Sequence, residues 1–242
     1  MNPQFQNLEW KRYHATLHDG GPLYAETNLD QFIAEPWNAL SSLVIVAPAL
    51  YWLFVIRKDL KNYGFLLFCI PFLLLGGMGS TLFHAFRSSP WLLHLDVYPI
   101  VALTFFISAY FWSKVFKSTG LALLLIVGVG LFTYSLFSFL SSHTAINLSY
   151  LIRGTALFLP IILVLSRSGY AGVRQVIISV VLFIVSLVFR EIDARASLQF
   201  LPMGTHFLWH VFSGLGAFYL GAYLYRVRNY ELAYRQAAAP EG

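Results

Sequence analysis

Residues 64–86 read GFLLFCIPFLLLGGMGSTLFHAF. The stretch has the length of about 20 residues that carries a helix across a bilayer core, and it contains no Asp, Glu, Lys or Arg. Polarity returns only near its end, at Ser80 and His84. These two are four positions apart, which stacks them one turn apart on one helical face. An ionisable side chain at membrane depth costs about 2.5–3.5 kcal/mol on insertion scales, so its presence there calls for a reason.

Outward from this stretch the same pattern recurs. Apolar segments lie at 38–56, 64–86, 92–113, 119–140, 147–166, 174–190 and 205–225. Leu121 to Val129 and Val176 to Val188 are apolar on every side, where a membrane β-barrel would alternate in segments of about ten residues. Helices satisfy their own backbone in lipid, and the expected fold class is an all-α integral membrane bundle of seven transmembrane helices. The composition agrees. The 242 residues are 58% hydrophobic and 11% charged, well under the roughly 25% charged of soluble domains.

The formal charge of +5 comes from sixteen Lys and Arg scattered in ones and twos. With no clustered basic stripe, nucleic-acid binding is not expected. The basic residues instead set topology. Arg57, Lys58, Lys61, Lys114, Lys117, Arg167, Arg174, Arg226, Arg228 and Arg235 share one side, against Lys11, Arg12, Arg87, Arg153, Arg190 and Arg195 on the other. This excess predicts an outside N-terminus and a cytoplasmic C-terminus. The mixed, polar residues 1–34 do not read as a signal peptide. The expected organisation is an extramembrane segment 1–37, one seven-helix domain 38–228 and a tail 229–242. Gly76 with Ser80, and Ser213 with Ala217 and Gly221, are small residues at spacings that let helices approach closely. No sequence feature speaks to oligomeric state.

The polar residues fall where topology brings them to one depth. Segment two ends with Ser80 and His84, segment three opens with Asp96, Asp193 follows segment six, and segment seven opens with His206 and His210. Those four ends share one membrane face in either orientation. Two imidazoles at i and i+4 can bind one metal, and His84 makes three ligands with a fourth position open, the pattern of catalytic zinc. Cys69 is the single cysteine, so a thiolate cage is excluded within one chain. No glutamate separates the two histidines, so this is not the HExxH motif. Asp96 is the expected proton-transfer group, Ser80 the expected hydrogen-bond donor to an oxyanion, and Asp193 a support behind the ligands. Taken singly, each has a plainer reading. A lone histidine in a membrane helix packs and hydrogen-bonds, Asp96 caps segment three, and Ser80 is a small packing residue. His94 is a second-choice ligand, His143 an interfacial residue, and His14 and His18 polar-tail residues.

The ordered set of EPWN before the first segment, GSTLFHA, LD, FREIDAR and HFLWH resembles the alkaline ceramidases. These stand within a seven-helix hydrolase superfamily that also holds adiponectin-receptor and hemolysin III-like proteins. The likeness spans nearly the whole chain. It implies a zinc-dependent amidase that hydrolyses ceramide, a membrane lipid, to a sphingoid base and a fatty acid. It also implies calcium held by Glu26, Asn28 and Glu35, with the Tyr24 carbonyl a further contributor and Asp19 or Asp30 in reserve. The sequence departs from the family pattern at Leu23, where an aspartate is usual, and at Pro36, where an aromatic is usual. The expected location is the inner membrane of a bacterium or, otherwise, an endomembrane. An adiponectin-receptor-like or hemolysin III-like receptor or sensor with a zinc site is the alternative. A metal or proton transporter is a third reading, opposed by the clustering of the polar residues at one depth.

Overall fold

Hydrophobic runs of this length leave the backbone no partner but itself, and the result is helical throughout. The computed structural model describes residues 17–195 and 201–237. Lys11 and Arg12, counted above for topology, and His14 of the polar tail lie outside the described residues. Among the described residues seven α-helices follow one another: α1 (Pro36–Ile56), α2 (Gly64–Phe86), α3 (Pro90–Phe116), α4 (Thr119–Phe139), α5 (Ser142–Arg167), α6 (Val173–Arg195) and α7 (His206–Ala237). A short 3-10 turn, Leu60–Tyr63, leads into α2. All seven are long and apolar enough to cross a membrane, so the chain is a multi-pass membrane protein.

The helix ends agree with the hydropathy to within a few residues, with one clear difference. α7 continues to Ala237, well past the apolar segment that ends at 225. Apolarity stops there but helix-forming residues do not, and Arg228 pairs with Glu231 at 3.1 Å along the helix. Alternation of this kind supports a solvated helix after the lipid-facing part has ended.

The chain divides into two compact units, residues 1–100 with 174–242, and residues 101–173. In the first, α1 packs against both α2 and α7. A Cβ on Gly214 of α7 would stand 2.5 Å from the Val44 carbonyl oxygen of α1, so only glycine permits this approach. Gly76 and Gly221, singled out above for packing, lie equally close to Ile100 and Trp52. Van der Waals contact of this closeness is what joins helices in lipid, where no hydrophobic force separates them from the acyl chains.

In the second unit, α4 packs against α5. Trp112 Nε1 donates to the Ala156 carbonyl oxygen at 3.0 Å and Arg167 Nη1 to that of Val115 at 3.2 Å, tying the end of α3 to α5.

The loop before α1 is fastened to the end of α2. Ala34 N–H donates to the Ala85 carbonyl oxygen at 2.9 Å and Glu35 N–H to that of His84 at 3.1 Å. These are last-turn carbonyls with no partner inside their own helix. Glu26 does the converse for α1, accepting from the N–H groups of Trp37 at 3.0 Å and Asn38 at 2.6 Å. A carboxylate is favoured there by the positive end of the helix dipole. Both attachments bring residues 19–35 to the helix ends that carry the polar side chains.

Candidate metal centre

His84 stands on the last turn of α2, and His206 and His210 stand on the first two turns of α7. One ligand atom from each lies within 4.8 Å of the others. All three side chains are buried. The i and i+4 spacing places the two α7 imidazoles one above the other, with ring centroids 4.8 Å apart and the His84 ring 5.4 and 4.8 Å from them.

The hydrogen bonds around the rings turn specific nitrogens inward. His84 Nδ1 bonds to Glu35 Oε2, and its buried Nε2 has no partner. Ser41 gives its own proton to the Asn38 carbonyl oxygen at 3.1 Å, so His210 Nδ1 is the donor in its 3.0 Å contact with Ser41 Oγ. That leaves His210 Nε2 as the nitrogen with a lone pair. His206 Nδ1 is likewise buried and without a partner. Buried imidazole nitrogens left unsatisfied cost free energy unless something completes them. One nitrogen from each of the three rings can meet a metal ion, and the second nitrogens of His84 and His210 are held by a carboxylate and a hydroxyl, as metal ligands usually are.

Asp96 lies beside this group and outside it. The Ser80 side chain neighbours the Asp96 carboxylate, and Ser42 Oγ lies 3.0 Å from Ser80 Oγ. Asp96 remains partly exposed, which leaves it within reach of a molecule at the rim of the pocket.

Asp193 accepts at Oδ1 from the N–H groups of Thr205 at 2.6 Å and His206 at 3.0 Å, capping α7 and fixing where His206 begins. Gly204 just before has φ +73 and lies so close to that carboxylate that a Cβ would stand 2.1 Å from Oδ1. His94 is placed elsewhere, its ring stacked on Tyr98 at 4.9 Å and edge-on to Trp91 at 5.6 Å.

The three residues expected to hold calcium are engaged separately. Glu26 caps α1 as described. Asn28 is exposed, and its Oδ1 accepts from Asp30 N–H at 3.1 Å, a local turn. Glu35 is fully buried, and its oxygens meet Arg87 Nη1, His84 Nδ1 and, at 2.6 Å, the Thr27 hydroxyl. Burial acts to raise the Glu35 pKa, but the His84 hydrogen bond, Arg87 and Thr27 outweigh it and hold the carboxyl below its ordinary value. Burial is the largest influence on Glu26 and raises its pKa.

Several residues of the site were not singled out from the sequence. Ser41 and Ser42 lie one helical turn after Asn38, a spacing that a search along the α1 face would have found. The Tyr24 ring, and not its carbonyl alone, belongs to the site, 4.0 Å from His206 and 5.2 Å from His84 between centroids. Burial, then Glu35 and Asp96, raise its pKa well above the ordinary value, so the hydroxyl keeps its proton. Arg87 had been counted only as one basic residue among sixteen.

These features define a multi-pass membrane protein with a buried three-histidine pocket that could hold a metal ion. No protein-family model matches the chain, and no curated protein matches it in sequence.

Proposed function

We propose that the chain is a zinc-dependent membrane amidase that hydrolyses ceramide to a sphingoid base and a fatty acid. The observation that carries the reading is the Ser80–Asp96 pair set beside, and not among, three converging imidazoles. An ion that serves only structure would normally be enclosed by four protein ligands. Three ligands with a carboxylate alongside is the arrangement of a hydrolytic site. The resemblance to alkaline ceramidases supplies the substrate class.

His84, His206 and His210 would hold the zinc, which polarises a carbonyl and lowers the pKa of water. The chain's own residues supply the proton transfers. Asp96, held by Ser80, accepts a proton from the attacking water and returns it to the amide nitrogen as the C–N bond breaks. The products are a free amine and a carboxylic acid, and the atoms balance with one water consumed. Ser41 and Glu35 keep the His210 and His84 rings in place. Tyr24 shields the imidazoles from solvent.

The test is a hydrolysis panel of ceramides, phospholipids and glycerides with the purified protein. Release of fatty acid from ceramides, abolished by a chelator and restored by zinc, is expected. Zinc retention with no hydrolysis of any lipid would contradict the amidase and favour a receptor or sensor.

A further inference from the structure

We propose that Arg87 is the resident cation of an acidic pocket formed by the N-terminal segment, and that it acts through Glu35 as a positioning residue for His84. The first half stands on geometry alone. The second rests on the reading of the three histidines as a metal centre.

Arg87 is 1% exposed and is the largest fully buried side chain among the described residues. Every guanidinium nitrogen has an oxygen. Nε meets Asp19 Oδ2 at 2.6 Å, Nη2 meets Asp19 Oδ1 at 3.1 Å and the Pro22 carbonyl oxygen at 2.9 Å, and Nη1 meets Glu35 Oε1. The two-pronged contact with Asp19 uses the planar fork that arginine has and lysine lacks. The face of the guanidinium lies 4.6 Å from the centre of the Phe83 ring. Burial alone would lower the Arg87 pKa, but Asp19 and Glu35 reverse this and raise it, so the charge is permanent.

Two carboxylates facing one guanidinium leave one negative charge over, and it falls on Glu35. The remaining Glu35 oxygen accepts a hydrogen bond from His84 Nδ1. His84 is thereby held in the tautomer whose Nε2 carries the lone pair, and Nε2 is the ring atom left without a partner. The relay Asp19, Arg87, Glu35, His84 thus links the N-terminal segment to a metal ligand. Arg87 itself sits just past α2 with φ 46, its N–H closing the helix on Phe83. This places the cation on the same turn of chain as the histidine it serves. A hard divalent ion here would have to displace a guanidinium already bound to both Asp19 oxygens and to Glu35 Oε1.

The experiment compares thermal melting and metal content of the full chain in detergent for wild type, Arg87→Lys, Arg87→Gln and Arg87→Ala, each with and without millimolar methylguanidinium. Melting temperature is expected to fall in the order wild type, Lys, Gln. Methylguanidinium should raise the melting temperature of Arg87→Ala and leave wild type unchanged. Zinc affinity should fall about 10- to 100-fold in Arg87→Gln, the usual effect of losing a partner behind a metal ligand, and should recover in part in Arg87→Lys. Chelating calcium should not shift the wild-type melting temperature.

A different result overturns the proposal. Equal behaviour of the Lys and Gln variants would mean that the charge is immaterial. A calcium-dependent wild type would mean that the pocket's cation is external. Unchanged zinc affinity in Arg87→Gln would remove the positioning role and leave a structural one. If Arg87→Ala does not fold, the Lys and Gln comparison still decides. A wild type without any transition metal would tell against the metal centre, while the melting order would still judge Arg87 as resident cation.

Discussion

Set side by side, the two compact units differ in how far along the sequence their buried polar groups reach. In residues 101–173 the buried hydroxyls of Ser108 and Thr133 return to backbone carbonyls of their own helices, at 2.7 Å to Thr104 and 2.9 Å to Val129. They add nothing beyond the helix that carries them. In the other unit, buried Asp19, Glu35, Ser80, His84, Arg87 and His210 make contacts across long stretches of sequence. Unsatisfied polar groups in lipid are expensive, so long-range polar networks persist only where something depends on them. The helix faces of α4 make the same point from the lipid side, with Leu124, Leu131 and Tyr134 largely exposed.

The largest expected effect that sharpens this contrast is on rate. Asp96→Asn keeps the shape of the side chain and removes its basicity, and Asp96 lies outside the converging imidazoles. Zinc content should be unchanged, while ceramide hydrolysis should drop by about 10²- to 10⁴-fold, the usual weight of general acid–base catalysis. Parallel zinc and activity assays check this. Loss of zinc would put Asp96 among the ligands, and wild-type turnover would place the base elsewhere.

A smaller effect concerns packing, and here two glycines separate the units. Gly214→Ala drives a methyl group into the α1 backbone and should destabilise the protein by about 1–3 kcal/mol, as overpacking does. Gly128→Ala in α4 meets nothing within 4 Å, and the helix gains up to about 1 kcal/mol from the better helix former. Thermal melting in one detergent should therefore move in opposite directions for the two. A shift of the same sign and size would break the distinction drawn here.

Much of this was legible in the sequence because lipid imposes simple rules. Seven helices follow from uniform apolarity over spans of membrane length. The histidines follow from i and i+4 spacing at helix ends that topology must bring together. The extension of α7 was not legible, since hydropathy marks where lipid ends and not where a helix ends. Arg87 was hidden for another reason. Its partner Asp19 is 68 residues away in a loop without periodicity, and no local pattern announces that a basic residue beside a membrane helix is turned inward. Ser80 shows the limit within the site itself. Its place on the His84 face was readable, but its nearness to Asp96 depends on how α2 meets α3.

The central claim is that His84, His206 and His210 form one metal centre, and elemental analysis of the purified full chain tests it most directly. Wild-type protein is expected to carry about one zinc per chain, and each of His84→Ala, His206→Ala and His210→Ala to lose most of it, because two imidazoles fall short of the usual ligand set. A metal-free wild type that takes up no zinc on addition, or full zinc occupancy in all three variants, would contradict the account.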